Sequence, residues 1–111
     1  MNPPAVLINP REAELGRANV ILRGRGRQHF VENYPGPLSV KCVIRGEGYW
    51  RTDDGNFRVD ERSLLVLNHE EPYTLTIDSN KPVSTCCLFF AKGFVEAMHH
   101  SATSALSASL D

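Results

Sequence analysis

No run of apolar residues in this sequence approaches the ~18 needed to cross a membrane as a helix. The first residues, Met1-Asn-Pro-Pro-Ala-Val-Leu-Ile8, carry no basic segment ahead of a short apolar patch, which is not the make-up of a secretory signal. A surplus of positive charge is missing too. The 12 Lys and Arg are offset by 13 Asp and Glu, for a formal net charge of −1. A module that grips nucleic acid by its phosphates carries a basic excess, so direct DNA contact by this segment is not expected. Cysteine is scarce: Cys42, Cys86 and Cys87 are odd in number, two are adjacent, and all lie in apolar runs. No secreted disulfide framework can be drawn from them. A reducing, cytoplasmic setting and three small buried thiols are expected instead.

What is present is an ordinary globular composition in a length that suits one domain, with 111 residues, 41% hydrophobic and 23% charged. Residues 1–18 hold Pro3, Pro4 and Pro10 and little periodicity, and read as an irregular arm. From 19 to 92 short β-forming runs alternate with turn residues. Asn19–Arg23 and Gln28–Tyr34 read as strands around Arg23-Gly-Arg-Gly-Arg27, a solvated basic turn. Leu38, Val40, Cys42 and Ile44 alternate with Ser39, Lys41 and Arg45, a period of two that places the apolar set in the core. Gly46-Glu-Gly48 breaks this strand, and Tyr49–Thr52 and Phe57–Val59 flank Asp53-Asp-Gly-Asn56, a strong hairpin signal. Ser63–Leu67, Tyr73–Ile77 and Val83–Phe90 follow, the last two separated by a turn cluster at Asp78–Pro82. Seven to nine evenly spaced strands imply a sandwich or barrel. Behind Gly93, Phe94, Ala97, Met98 and Ala102 are spaced for one helical face. Residues 93–111 therefore read as the start of a C-terminal helical segment, cut short, with no DNA-binding domain after it.

Three phrases, Val43-Ile-Arg-Gly-Glu-Gly-Tyr-Trp50, Phe57-Arg-Val-Asp60 and Ser63-Leu-Leu-Val-Leu-Asn68, resemble the cupin jelly-roll pattern. Taken with Pro37–Lys41, Pro72–Asp78 and Phe89-Phe90 leading to Gly93–Glu96, the chain is similar to the N-terminal cupin of AraC-type bacterial transcription regulators over roughly residues 28–98. The resemblance implies a mainly β fold, a cupin-like jelly-roll barrel with a short C-terminal helix. It also implies a small-molecule effector site and homodimerisation through the helices that follow the barrel, with DNA reached only through a separate helix-turn-helix part. Cupin enzymes hold a metal through two motifs. Their histidine, histidine, glutamate and histidine positions fall here near Asn33, Pro35, Ser39 and Tyr73. First-row metals need several His or carboxylate ligands converging, so no metal, no cofactor and no catalytic residue is expected.

The remaining chemistry-bearing residues are few. His69, His99 and His100 read as surface side chains, and Asp53-Asp54 and Glu70-Glu71 as solvated turn residues. No Ser-His-Asp or Cys-His grouping can be assembled. A ligand pocket in a small barrel needs an apolar wall with a few polar tips, and Tyr73, Trp50, Cys42 and His29 are the candidates to line it. Tyr73 stands where the resemblance puts an inward metal ligand, and Trp50 lies just past the glycine turn near a barrel mouth. Two other readings stay open: a free-standing small cupin enzyme with relocated catalytic groups, and a dimerisation barrel without a ligand.

Overall fold

Glycines decide where this chain reverses. Gly46 (φ +93°) and Gly55 (φ +136°) adopt backbone conformations that side chains resist, and they mark the ends of consecutive strands. The computed structural model describes residues 6–9 and 11–110. Pro3, Pro4 and Pro10 of the expected arm lie outside the described residues. The elements in chain order are β1 (Val6–Ile8), a 3₁₀ turn (Glu12–Glu14), β2 (Asn19–Pro35), β3 (Ser39–Arg45), β4 (Glu47–Thr52), β5 (Gly55–Asp60), β6 (Leu64–Leu67), β7 (Pro72–Phe89) and α1 (Phe94–Leu110). The arm is thus partly regular, since β1 pairs in parallel with the start of β2.

Two of the expected turns are strand interior. Arg23-Gly-Arg-Gly-Arg27 lies within β2, and Asp78–Pro82 lies within β7. Both strands are long because each serves two sheet layers. Residues 20–26 of β2 pair with 83–89 of β7, and residues 28–35 pair with 72–78. The register breaks between Gly26 and Gln28, opposite the residues between Asp78 and Val83. Turn-like composition here marks an irregularity that bends a strand and sharpens its twist, and the chain does not reverse. One layer contains β1, the first half of β2, the second half of β7, β3 and β6. The other contains the remaining halves of β2 and β7 with β4 and β5. The described strands fold over one another in a cupin-like arrangement without closing a hydrogen-bonded ring.

Between the layers sit Val43, Trp50, Val59, Leu67, Tyr73, Ile77 and Val83, all buried. A second cluster of Val20, Cys87 and Phe89, with Leu7, Leu15 and Leu22 against it, fills the end beneath the arm. Tyr73 and Ile77 point inward, with Leu75 half-buried against the core. The phase expected for β3 is corrected. Ser39, Lys41 and Val43 are its buried face, while Val40 and Cys42 are half-buried and Ile44 is 64% exposed. The apolar alternation of β3 faces outward, where Val40 opposes Val66 and Leu88, and Cys42 opposes Leu64 and Cys86. Only Cys87 of the three cysteines is buried.

Gly48 shows how locally this core is specified. It shares the inner face of β4 with Trp50, and the indole folds back over it. A Cβ at Gly48 would sit 2.7 Å from Cζ3 of Trp50. Trp50 is 1% exposed, so an added methyl forces the ring out of its core position. Gly48→Ala is expected to destabilise the protein by about 1–3 kcal/mol through overpacking, measured by urea denaturation. Gly26→Ala, where a Cβ meets nothing within 4 Å, serves as the control and should be close to neutral.

Candidate functional site

Between the layers the packing is incomplete, and the reason lies in β2. Leu22, Gly24 and Gly26 occupy its inward phase, opposite Cys87, Thr85 and Val83. Two successive inward positions carry no side chain, so the wall is bare there. The result is a cavity of about 350 Å³. Its walls include Leu22, Val31, Leu75, Ile77, Val83 and Phe89, and Lys41, Trp50 and Tyr73 are its buried polar-tipped members. His29, paired with the inward Ile77, borders it from β2 and is exposed to solvent. A larger concavity of about 690 Å³ lies among the turns around Arg45, Glu47, Asp60 and Lys81. It is an open groove of mixed charge, lined by Arg45, Glu47, Asp60, Glu61, Arg62 and Lys81 among others. The smaller, deeper, mostly apolar cavity is the better match to a small-molecule site.

The unusual group in it is Lys41, 2% exposed. Its Nζ donates a hydrogen bond of 3.0 Å to Tyr73 Oη. It also lies 3.9 Å from the ring centroid of Phe89 and 4.4 Å from that of Tyr73. Two ring faces replace part of the lost hydration. Among the described residues the ammonium has no carboxylate partner and no other hydrogen-bond acceptor. Burial therefore dominates, and it pulls the Lys41 pKa down to about 8, opposed by the nearby Cys87. Burial pushes the Tyr73 phenol well above its ordinary range, with Cys87 and Tyr34 adding to the effect. Tyr34 meets Tyr73 edge-on at 5.8 Å and fixes its ring. The indole Nε1 of Trp50 is buried with no hydrogen-bond partner. No aspartate or glutamate lines the cavity.

Three of the four residues expected to line a pocket therefore meet at one cavity: Tyr73, Trp50 and His29. Cys42 does not. Because β3 runs in the opposite phase, Cys42 is on the outer face and Lys41 takes the inward place. Sequence reasoning missed Lys41 because a lysine between apolar neighbours reads as solvent-facing. It missed Gly24 and Gly26 because Gly between arginines reads as a turn. The histidines elsewhere are exposed: His69 beside Glu70 at 3.4 Å, and His99 and His100 on α1. Among the described residues no group of three or more His, Cys, Asp or Glu is placed to hold a metal ion. No described helix is long and apolar enough to cross a membrane.

A two-layered β fold of this topology, with a half-enclosed apolar cavity tipped by a few donors, defines a cupin-like binding domain. The model of the AraC-like ligand binding domain family matches residues 20–111, and the chain belongs to that family. Among solved structures it is similar to ToxT from Vibrio cholerae, at 11% identity and a TM-score of 0.58, over 81% of this chain and 37% of ToxT. A structure of ToxT with an unsaturated fatty acid bound gives 14% identity and a TM-score of 0.56, over 78% of this chain and 34% of the other. A cupin protein from Bacteroides fragilis gives 13% identity and a TM-score of 0.49, over 68% of this chain and 66% of the other. The chain thus spans about a third of the length of ToxT. No curated protein matches it.

The buried ammonium generates a test of its own. In the unfolded chain Lys41 keeps its proton up to its ordinary pKa of 10.5, whereas in the fold it is released at about 8. Between these values the unfolded state binds more protons, so stability rises with pH across the window. The destabilisation relieved is on the order of 3 kcal/mol. Lys41→Met is expected to remove this rise and to be at least as stable as the parent at pH 7. Urea denaturation of both proteins from pH 7 to 10.5 measures the difference.

Proposed function

We propose that the cavity between the layers is an effector site, and that the protein is the small-molecule-sensing part of an AraC-type transcription regulator. The observation that carries this reading is the cavity itself. Two inward glycines hold it open where packing density elsewhere would close it, and buried donors of Lys41, Tyr73 and Trp50 border it. ToxT, which shares the fold, has been solved with an unsaturated fatty acid bound. Membership of the AraC-like ligand binding domain family favours a regulatory over an enzymatic role. The protein acts in the cytoplasm, without a metal or cofactor of its own. In such a regulator DNA is contacted by a helix-turn-helix domain and not by the sensing barrel. Effector occupancy acts by favouring one of two states of the regulator, in proportion to its differential affinity for them.

The reading is tested by filling the cavity. Gly26→Val places a β-branched side chain in open space within a strand, so the fold should survive and its melting temperature should stay near that of the parent. Thermal melting against a panel of sugars, aromatic acids and other small metabolites should find a compound that stabilises the parent by about 2.7 kcal/mol at a hundredfold excess over Kd. Gly26→Val should lose that response. A panel compound that stabilises both proteins equally would place its site elsewhere.

We also propose that the regulator is a homodimer joined through α1. Val95 and Met98 on this helix are 37% and 48% exposed. Phe90 stacks on Phe94, with centroids 6.2 Å apart, and anchors the start of the helix to the barrel. Met98→Glu is expected to shift the protein toward monomer in sedimentation equilibrium, with its β-sheet circular dichroism unchanged.

A further inference from the structure

We propose that the effector is a small carboxylic acid with a compact apolar body, its carboxylate held by Lys41 and Tyr73 and its body against Trp50, Ile77 and Val83. The inference rests on the cavity being an effector site, and it assigns the chemical class.

The case is one of complementarity. Every buried side-chain group at the cavity that seeks a hydrogen bond is a donor. Lys41 donates one N–H to Tyr73 and has no second acceptor among the described residues. Having accepted that bond, Tyr73 still has its own O–H to donate. The indole N–H of Trp50 is buried without a partner. His29 stands at the exposed edge of the β2 wall, and no acidic residue lines any part of the cavity. Burying an ammonium without a counter-ion is costly, and a ligand that brings the anion removes that cost on binding. A neutral ligand leaves it in place. The carboxylate geometry suits the site, since one oxygen can accept from Nζ while the other accepts from the phenol, whose oxygen is 3.0 Å from Nζ. Apart from Thr85, Gln28 and His29 the remaining wall is mainly aliphatic and aromatic, which calls for an apolar body and not a polyol. At about 350 Å³ the cavity stands at the small end of ligand sites. It fits a short or single-ring acid and excludes an extended long chain.

Phenylacetate is the probe and phenylacetamide its neutral counterpart. The protein has a single tryptophan, and because Trp50 lines the cavity, its fluorescence reads occupancy directly. Phenylacetate should change Trp50 emission saturably, and phenylacetamide should bind at least about tenfold more weakly. In Lys41→Met and in Lys41→Gln that preference should vanish, with melting curves verifying that both variants are folded. Affinity for the acid should fall as pH rises above about 8 and the ammonium discharges, while the amide is unaffected. Tyr73 and Cys87 from β7 and His29 from β2 face the same space, with Arg23 and Arg25 exposed on the opposite phase of β2, so absence of the pH step from the two Lys41 variants assigns it to Lys41. Equal binding of acid and amide, or acid binding that survives both substitutions, would overturn the carboxylate assignment and leave the effector site standing. So would saturable binding of neutral panel compounds alone, blocked by Gly26→Val. If acids, amides and sugars all leave emission and melting unchanged up to about 10 mM, the effector site is overturned together with the assignment.

Discussion

The placement of one charge organises this domain. The Lys41 ammonium lies between the rings of Tyr73 and Phe89, bonded to the phenol of the first. A buried cation constrains everything around it, because each neighbour must offer electron density or be displaced. The two rings come from opposite ends of β7, one in each layer, so Lys41 touches both layers beside the cavity between them. Tyr34 fixes Tyr73 from the side, and Tyr73 in turn fixes the ammonium. The groups that border the cavity thus also hold the fold.

The division of labour between β2 and the other strands follows from this. β3, β4 and β7 bring the polar tips, and β2 brings the opening. The inward glycines of β2 are not there for unusual backbone angles. Gly26 would meet no obstacle with a side chain, and its contribution is the volume it leaves empty. Gly48, by contrast, is occupied territory, taken by the indole of Trp50. Two glycines in strands that both pair with β7 thus have opposite effects, one leaving the cavity open and one ceding its space to the core.

Much of the fold was legible because strand rhythm and turn chemistry are local. The hairpin at Asp53-Asp54 closes between Thr52 and Gly55 as its residues dictate, and β3 to β6 begin and end near their turn residues. Phase was not legible. Alternation states that two faces differ but not which one is inside. In β3 the expected core set of Val40, Cys42 and Ile44 lies on the outer face against Val66, Leu64 and Leu88. An apolar outer face and a charged inner face invert the usual rule, and the inversion is the site. Tyr73, Trp50 and His29 were accessible from strand phase and family pattern. Lys41 could have been found from one signal, a long basic side chain in strict alternation with Ser39 and Val43 opposite an apolar strand. The bends in β2 and β7 were read as reversals because glycine and proline signal both, and only the pairing partner distinguishes them.

The sharing of β7 among three partners has a kinetic consequence. β7 bonds to β2, β3 and β4, and it is the last strand to leave a ribosome. Pairs such as Gln28 with Asp78, which also share a side-chain hydrogen bond, are 50 residues apart. Loop-closure entropy must be met before such contacts contribute. The halves of β2 therefore stay unpaired on that side until almost the whole barrel has been synthesised, while the β1–β2, β3–β6 and β4–β5 ladders can form earlier. Such non-local pairing makes folding late and slow for a chain of this length, and the nascent domain passes through a stage in which the 17-residue β2 is an open edge.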